Sequence, residues 1–503
     1  MKAKDFSRRD AIRWAGGAAM ATTFLPFSGK FGAWSHPAEK PLARRLLGRT
    51  GREVTTFGLA GGNKIQWELP GDEAVQIVVK AIRAGMTYIE TANNYFLSQE
   101  KMGKAFEVLN LKPGLPGYDH SLRGRLFIAT KTALRHAIVR DGSEPMGRSS
   151  GGGKLVLSDI ERSLTQFFGD GKGHIPEGAY LDLMQVHHIG SKEEVDAAYE
   201  GLDNPGDKSL PRVGAIACLL DYRDGTNLTG LNPKHRKWIR HIGITGHENP
   251  AVHMYAIQRD TRNILDTLLV AVNPNDPNYF CHQTNSIPVA HAKGMGVIGM
   301  KVFADGVMYG LKQEYAHRPG QSVPTVGQPD KLPYEDFIRY SLNPPGMSTI
   351  ITGIGLIDQN DDPQHDQLVA NLAAAQVAKP LTRREKLDIE RTVAELHGTR
   401  TNFFQQPSAG FQPAQGFSAE RNSDGSVKLA WHSAYAAGDP LVRYEVYRRH
   451  ERIGIVPYSP QTTLKPFTFS DKSAPSGHSG GVYYRVRAVD EAGRHADTLT
   501  VKC

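Results

Sequence analysis

The chain has 503 residues, of which 40% are hydrophobic and 22% are charged. This length fits two or three domains, and the composition is that of globular proteins rather than disordered chains. The net charge of +8 comes from scattered lysines and arginines, with no basic run interleaved with aromatic residues. This distribution argues against nucleic-acid binding. The three cysteines form no CxxC pair, which argues against a cysteine-ligated zinc or iron–sulfur site and leaves a single disulfide open.

Residues 1–37 are predicted to be a targeting signal and leader rather than part of the fold. Arg8 and Arg9 directly precede an apolar run of small residues from Trp14 to Phe27. The run is too short and too weakly apolar for a stable membrane span. The arrangement is typical of a twin-arginine signal, although an ordinary basic N-terminus is the alternative. We expect contact with the twin-arginine export machinery and a periplasmic or extracellular location, and an uncleaved signal would tether the protein to the membrane.

Eight short apolar runs, most of them followed by a helical pattern, lie between residues 38 and 400. The predicted strands are Phe57–Ala60, Met86–Glu90, Leu126–Lys131, Tyr180–His187, Ile239–Thr245, Thr267–Asn273, Gly296–Val302 and Ser348–Ile354. Eight strand–helix units predict an α/β fold, the (β/α)8 TIM barrel. A doubly wound open sheet is the alternative, but the G-x-G-x-x-G fingerprint expected after its first strand is absent. Between the fourth and fifth strands the pattern indicates an irregular region.

Polar side chains stand at the carboxyl ends of three neighbouring strands of the predicted barrel. Glu90, Lys131 and His187 end the second, third and fourth strands, and Tyr95 follows five residues after Glu90. Because the active site of such a barrel lies at the carboxyl ends of its strands, the four side chains could deliver a proton to a carbonyl. Strand alternation places His188 on the face opposite His187, which argues against a metal site built on this pair. We predict no metal.

The sequence pattern predicts the roles of two further segments. Residues 303–332 come after the seventh strand and so lie on the same rim, as a candidate lid or substrate wall. Residues 401–414 are rich in polar residues, Gly and Pro, and are predicted to be a linker.

Residues 415–503 are predicted to form a small, all-β, immunoglobulin-like sandwich. Three runs within them alternate with period two and are separated by turn signals: Val427–Trp431, Arg443–Arg448 and Val482–Ala488. Trp431 and the Tyr484-x-Val486-x-Ala488 pattern resemble a fibronectin type III domain, and the resemblance implies that Tyr484 is its corner tyrosine.

Six motifs occur in order in the barrel portion. They are Leu47–Gly51, Glu90–Tyr95, Ser98–Gly103, Ile128–Lys131, Leu181–His187 and His241–His247. Taken in this order, they make residues 42–400 similar to the aldo-keto reductase superfamily. The resemblance implies a barrel enzyme that reduces a carbonyl, or oxidises an alcohol, with NADP or NAD.

The resemblance also implies roles for individual residues. Tyr95 would be the general acid that protonates the carbonyl oxygen, and His187 would orient that oxygen. Lys131 would favour the phenolate, since an ammonium beside a phenol lowers the phenol's pKa, and Glu90 would hold Lys131. The residues implied to bind the cofactor, with Thr245 near the nicotinamide carboxamide, are Thr245, Gly246, Asn273, Met300, Lys301, Gly353 and Gly355.

The sequence departs from the family pattern at three places. Glu90 replaces the usual aspartate. Its longer side chain can still pair with Lys131 in a shifted or tilted arrangement, or it displaces Lys131, in which case the site is a remnant in a binding protein. Met300 stands where many members have a tyrosine stacked on the nicotinamide. After the eighth strand, the basic residue expected for a 2′-phosphate is missing. A carboxylate there would suit a free ribose hydroxyl, and therefore NAD. The residues found there are Asp358, Asp361 and Asp362.

Three functional hypotheses follow. The first is an exported NAD(P)-dependent oxidoreductase acting on a small-molecule carbonyl or sugar-like substrate. The second is a redox-inactive binding protein whose pocket and sandwich contact a surface, a glycan or a partner, which the three departures favour. The third is a lyase or isomerase that uses Tyr95 and Lys131 as an acid–base pair.

Overall fold

The computed structural model describes residues 42–149, 151–312, 318, 321–323, 325–327, 332–399, 402–475 and 481–503. The predicted leader lies outside these residues. Within the described ranges, no helix is long and apolar enough to cross a membrane. The three cysteines are free thiols, so no disulfide joins them.

Eight parallel strands close into a barrel. They are β1 (Phe57–Ala60), β2 (Tyr88–Glu90), β3 (Phe127–Thr132), β4 (Leu181–Val186), β5 (Ile239–Gly246), β6 (Thr267–Ala271), β7 (Gly296–Met300) and β8 (Met347–Thr352). Each strand pairs with the next in chain order, and β8 pairs with β1 through partners such as Ile351 and Gly58. The predicted TIM barrel is confirmed, and the open sheet is excluded because β1 and β8 are joined.

Helices surround the barrel and bury their apolar stripes against it. The helix Glu73–Arg83 places Val75, Val78, Val79 and Ile82 in the core, as its 3.6-residue period predicts. The α-helices are Glu73–Arg83, Ser98–Val108, His120–Arg125, Val156–Phe168, Lys192–Tyr199, Ala215–Asp224, Pro250–Arg259, Ser286–Ala292, Tyr334–Ser341, Gln367–Val377 and Arg383–His397.

The segment between β4 and β5 is not irregular, contrary to the sequence prediction. It contains the helices Lys192–Tyr199 and Ala215–Asp224. The second helix is buried along most of its length, so it lacks the polar face that makes a helical period visible. The first has a readable start, since the Ser191 side chain accepts a hydrogen bond from the backbone N of Glu194 at 3.3 Å.

The C-terminal region forms two packed antiparallel sheets, which confirms the predicted sandwich. One sheet contains Gln415–Arg421, Val427–His432 and Phe467–Asp471; the other contains Leu441–Arg448, Glu451–Pro457, Tyr483–Asp490, His495–Asp497 and Val501–Lys502. Trp431 is fully buried in this core, with its ring centroid 5.5 Å from Tyr444 and 6.3 Å from Phe467. Trp431 and Phe467 belong to one sheet and Tyr444 to the other, so aromatic rings pack across the interface between the sheets.

The segment predicted to be a linker packs against the barrel. Phe404 is fully buried, and the backbone N of Phe280 donates to the Gln406 carbonyl oxygen at 2.8 Å. The Asn285 side chain bonds to both the N and the O of Ala436 in the sandwich, at 3.0 and 3.2 Å. Barrel and sandwich therefore pack as one compact unit.

Two glycines in helices offer a matched test of helix packing. A Cβ on Gly103 would lie 1.9 Å from the Gln166 carbonyl oxygen of the neighbouring helix, whereas a Cβ on Gly124 would meet nothing within 4 Å. We expect Gly103→Ala to lower the free energy of unfolding by about 1–3 kcal/mol through overpacking. Gly124→Ala should be neutral or slightly stabilising, because alanine favours helix. Thermal unfolding measures both, and equal melting temperatures for the two variants would contradict this packing.

A buried histidine pair makes stability depend on pH. The His253 and His282 ring centroids are 5.2 Å apart. Burial lowers the pKa of His253 to about 4, and burial next to His253 lowers that of His282 to about 3. Their ordinary value is about 6.5, so the unfolded chain binds more protons below that pH. The stability these neutral rings contribute is complete above about pH 6.5 and is lost as the pH falls toward 4.

We therefore expect the urea midpoint of the wild type to fall between about pH 7 and pH 5. The double variant His253→Gln/His282→Gln should show a shallower fall over the same range. Equal slopes would show that other groups cause the acid sensitivity.

Candidate active site

A buried ion pair joins the ends of β2 and β3. The Lys131 Nζ contacts the Glu90 Oε1, and both side chains are only 2% exposed. The Lys131 ammonium also donates to the carbonyl oxygen of Thr91 at 2.9 Å. The longer Glu90 side chain therefore reaches Lys131 and does not displace it.

The second oxygen of Glu90 has two donors that the sequence prediction missed. The Tyr88 hydroxyl donates to Oε2 at 2.9 Å, and the Gln185 Nε2 donates to it at 3.2 Å. Burial and the Glu90 carboxylate raise the pKa of Tyr88 well above its ordinary value, so Tyr88 remains a donor. Strand alternation places Tyr88 on the face of Glu90 and Gln185 on the face of His187, because each lies two positions earlier in its strand.

Lys131 remains an ammonium in this environment. Burial by itself lowers its pKa, but the Glu90 carboxylate and the Tyr95 phenol outweigh burial, and the pKa is raised from its ordinary value. The Lys131 Nζ lies 4.9 Å from the centroid of the Tyr95 ring. A fixed positive charge therefore stands beside the phenol.

His187 completes the group as a neutral imidazole. Its backbone N donates to the Thr132 carbonyl oxygen at 2.8 Å, and its ring stands edge-on to Tyr95 with centroids 5.7 Å apart. Burial, and then the neighbouring cations led by Lys131, lower the pKa of His187 well below its ordinary value. Its buried Nδ1 has no hydrogen-bond partner among the described residues. The four residues predicted from the strand ends thus lie together.

The sequence prediction for His188 is wrong. His188 lines the same cavity as His187, and its ring centroid is 5.1 Å from that of His247. The strand β4 already ends at Val186, and the φ of His188 is +54°, so strand alternation no longer applies there. No group of three or more His, Cys, Asp or Glu in the described part of the chain could hold a metal ion.

A missed arginine supports the turn that carries both histidines. The Arg135 side chain is buried, and its Nη2 donates to the carbonyl oxygens of His187 at 2.8 Å and His188 at 3.1 Å. Glu194 accepts from the same nitrogen at 3.2 Å, which balances the buried charge. Arg135 therefore fixes the backbone from which the two imidazoles project.

A cavity of about 680 Å³ opens above these residues, with Tyr95, Glu90 and His187 in its wall. Four of the seven residues predicted to bind a cofactor also line it: Met300, Lys301, Gly353 and Gly355. A cavity of this volume accommodates a ligand larger than a simple carbonyl compound.

The other three predicted cofactor residues are not among the described residues that line the cavity. The Thr245 Oγ1 accepts from the backbone N of His188 at 3.0 Å, and the Asn273 Oδ1 accepts from the backbone N of Asn275 at 3.0 Å. At Gly246, a Cβ would lie 2.0 Å from the His253 Nε2, so this glycine permits close packing. Their cofactor contacts stay a prediction.

The described part of the segment 303–332 forms one wall of the cavity, as the sequence predicts. Tyr309 and Arg318 line it. The Gln367 Nε2 donates to the carbonyl oxygens of Val323 at 2.9 Å and Thr325 at 2.6 Å, while its Oε1 accepts from the backbone N of Gly355 at 2.7 Å. One amide therefore ties this wall to the turn after β8.

The aspartates after β8 each have a partner within the protein. Asp361 pairs with the Lys80 ammonium. The Asp358 Oδ2 accepts from the backbone N of Asn360 at 2.6 Å, and the Asp362 Oδ2 bonds to the His365 Nδ1 at 2.8 Å. Four charged residues that follow β7 line the cavity: Lys301, Asp305, Lys312 and Arg318. None of these three aspartates lines the cavity, and the preference for NAD over NADP stays a prediction.

Comparison with known proteins shows the family to which the chain belongs. The sequence profile of the aldo/keto reductase family matches residues 56–391. Similar solved structures include a putative aldo-keto reductase from Pseudomonas aeruginosa, with 18% identity over 67% of this chain and 95% of that chain and a TM-score of 0.39. A glycerol dehydrogenase from Gluconobacter oxydans has 16% identity over 69% and 94%, with a TM-score of 0.40. A Bombyx mori aldo-keto reductase in complex with NADP has 16% identity over 70% and 93%, with a TM-score of 0.42. Because the family profile matches more than half of the chain, the protein belongs to the aldo/keto reductase family.

Proposed function

We propose that the protein is an NAD(P)-dependent oxidoreductase that reduces a carbonyl, or oxidises an alcohol or sugar, with Tyr95 as its general acid. The observation that carries this proposal is the Lys131 ammonium, held by Glu90 beside the Tyr95 ring on the cavity wall. Membership of the aldo/keto reductase family supports the same reaction class.

The chain's own residues provide the proton chemistry. In the direction of reduction, Tyr95 gives its proton to the carbonyl oxygen, and the phenolate that results is stabilised by the Lys131 ammonium. Glu90 keeps that ammonium in place, since a buried ion pair retains its geometry only when its remaining polar atoms are satisfied. The neutral imidazole of His187 can hydrogen-bond the substrate oxygen without adding a charge that would compete for it. Alcohol oxidation uses the same groups in reverse.

The cavity wall along β7 and β8 fits a dinucleotide. The Thr352 Oγ1 is a buried hydroxyl on this wall with no hydrogen-bond partner among the described residues. Gly353 and Gly355 line this wall, and the cations Lys312 and Arg318 suit phosphate groups. We propose that Met300, Lys301, Gly353 and Gly355 hold NADP or NAD here. When bound, the nicotinamide ring supplies or accepts the hydride.

Two of the three departures that favoured the binding-protein hypothesis lose weight. The hypothesis required the longer Glu90 side chain to displace Lys131, whereas the two side chains are in contact. The hypothesis also relied on the aspartates after β8 standing near the ribose of a nucleotide. Each of these aspartates has a partner within the protein. Met300 remains the one departure in its favour.

Replacing Tyr95 by Phe tests the oxidoreductase. We expect fluorescence titration with NADH and NADPH to detect binding of at least one nucleotide, and Tyr95→Phe to bind it with wild-type affinity. Turnover of a panel of small aldehydes, ketones and aldoses should fall by about 100- to 10,000-fold, because the positioned acid is lost. Tyr309→Phe, which changes another tyrosine of the cavity wall, should keep most of the turnover. No binding of either nucleotide, or full turnover by Tyr95→Phe, would refute the mechanism.

We also propose that the chain is exported through the twin-arginine route and works in the periplasm or outside the cell. The arginine pair before the apolar run supports this, and it lies outside the described residues. Replacing Arg8 and Arg9 by Lys should retain the protein in the cytoplasmic fraction, as cell fractionation and immunoblotting would measure. Export of the Lys–Lys variant at the wild-type level would refute the route.

For the sandwich we propose a fibronectin type III-like module that contacts a surface or a glycan. Its three-stranded and five-stranded sheets around Trp431 support the likeness. The Tyr484 hydroxyl donates to the Asp471 side chain at 2.9 Å, which suits the anchoring role of a corner tyrosine.

A further inference from the structure

A short strap before the sandwich packs behind the cavity wall. The strap, residues 402–408, lies beyond residue 391, where the match to the family profile ends. Phe404 is fully buried within it. Phe404 is not among the described residues that line the cavity, but its ring lies against two that do, Lys301 and His247. An effect of Phe404 on the site therefore passes through these two side chains.

Lys301 is held from two sides. Its Nζ donates to both carboxylate oxygens of Asp305, at 2.6 and 2.7 Å. The same Nζ lies 5.1 Å from the centroid of the Phe404 ring, within the range of a cation–π interaction. The Lys301 side chain is only 15% exposed, and the attraction of an ammonium to a ring strengthens when water is excluded. Asp305 balances the charge, and Phe404 limits where the ammonium can lie.

The backbone at Lys301 depends on such contacts. The φ of Lys301 is +62° and that of Asp305 is +57°, in the left-handed region that residues other than glycine rarely adopt. These conformations persist only where the surrounding structure over-determines them. Lys301 directly follows β7 and leads into the wall segment 303–332. Its side-chain contacts with Asp305 and Phe404 therefore help to fix where this wall begins.

The second contact of Phe404 is with the opposite part of the rim. Its ring centroid lies 6.2 Å from that of His247, which directly follows β5. The His247 ring in turn stands edge-on to His188, with centroids 5.1 Å apart. One buried ring thus joins the residues that follow β5 and β7.

Backbone hydrogen bonds hold the strap against the turn after β6. The backbone N of Phe280 donates to the Gln406 carbonyl oxygen at 2.8 Å, and the backbone N of Ser408 donates to the Asn278 carbonyl oxygen at 3.1 Å. The Phe404 ring therefore projects from a backbone that is itself fixed to the barrel.

We propose that Phe404 is a positioning residue of the active site, which holds the Lys301 ammonium and the His247 imidazole on the cavity wall. Nucleotide binding then depends on a strap outside the region that matches the family profile, and the strap makes the sandwich part of the architecture of the site. The effect on nucleotide binding rests on the proposed function, which assigns Lys301 to the cofactor. The positioning of His247 does not.

Replacing Phe404 by Leu in the full chain tests the effect on binding. Leucine keeps most of the apolar bulk but has no π face for the ammonium. We expect the dissociation constant of the nucleotide to rise about three- to tenfold, while kcat at saturating nucleotide stays within about twofold. Fluorescence titration and steady-state kinetics measure the two effects. Wild-type nucleotide affinity in Phe404→Leu would overturn the proposal.

Phe280→Leu is the matched control. The Phe280 ring packs edge-on against Tyr435 of the sandwich, with centroids 5.3 Å apart, and Phe280 does not line the cavity. Both variants remove one ring from the contact between barrel and sandwich, so both should lower the melting temperature. Phe280→Leu should keep wild-type nucleotide affinity. An equal loss of affinity in the two variants would overturn the proposal, since docking of the sandwich would then control binding.

A double-mutant cycle shows whether Phe404 acts through Lys301. If it does, Phe404→Leu should weaken nucleotide binding no further in a Lys301→Met background. A loss that adds in full to that of Lys301→Met would place the action of Phe404 elsewhere and overturn this route.

The His247 imidazole gives a readout that needs neither nucleotide nor turnover. In protein with ¹³C-labelled histidine, assigned with His247→Gln, the His247 ring signal should move and broaden in Phe404→Leu and stay in place in Phe280→Leu. An unchanged His247 signal in Phe404→Leu would overturn the positioning. Wild-type protein that binds neither nucleotide would instead overturn the oxidoreductase, and a changed His247 signal would still support the positioning by Phe404.

Discussion

The buried ion pair between Glu90 and Lys131 is the constraint on which the rim of the barrel depends. Two charges withdrawn from water are tolerated only when each has a complete set of partners. Both Glu90 oxygens are satisfied, one by Lys131 and the other by Tyr88 and Gln185. Strands β2, β3 and β4 each contribute to this network, so their ends are held in one arrangement. That arrangement places the ammonium beside Tyr95 and leaves His187 neutral.

Distant parts of the chain complete the site around that network. The segment after β7 is held over the cavity by Gln367, which belongs to the helix after β8. The segment before the sandwich buries Phe404, whose ring lies 6.2 Å from that of His247. The sandwich in turn is bonded to the barrel through Asn285. The residues that line the cavity run from Ala60 to Asn371, so segments far apart in the chain form its wall.

Much of the fold could be predicted because barrel strands are buried on both faces and appear as short apolar runs. The same runs located Glu90, Lys131 and His187 at strand ends. His188 could not be placed, since a single left-handed residue ended the alternation. The helix Ala215–Asp224 was missed because burial on most sides removes the period that reveals a helix. The aspartates after β8 suggested a ribose contact, but Lys80 and backbone N–H groups are their partners.

The amino-acid sequence by itself determined the barrel, the sandwich and the residue types at the strand ends, because periodicity and chain order are local properties. The tertiary structure decided whether the extra methylene of Glu90 separates or preserves its pair with Lys131. It also decided that Tyr88 and Gln185 support that pair, and that Phe96 stacks on Trp67. These outcomes depend on distances of a few ångströms between separate strands and loops, and only the packed barrel sets those distances.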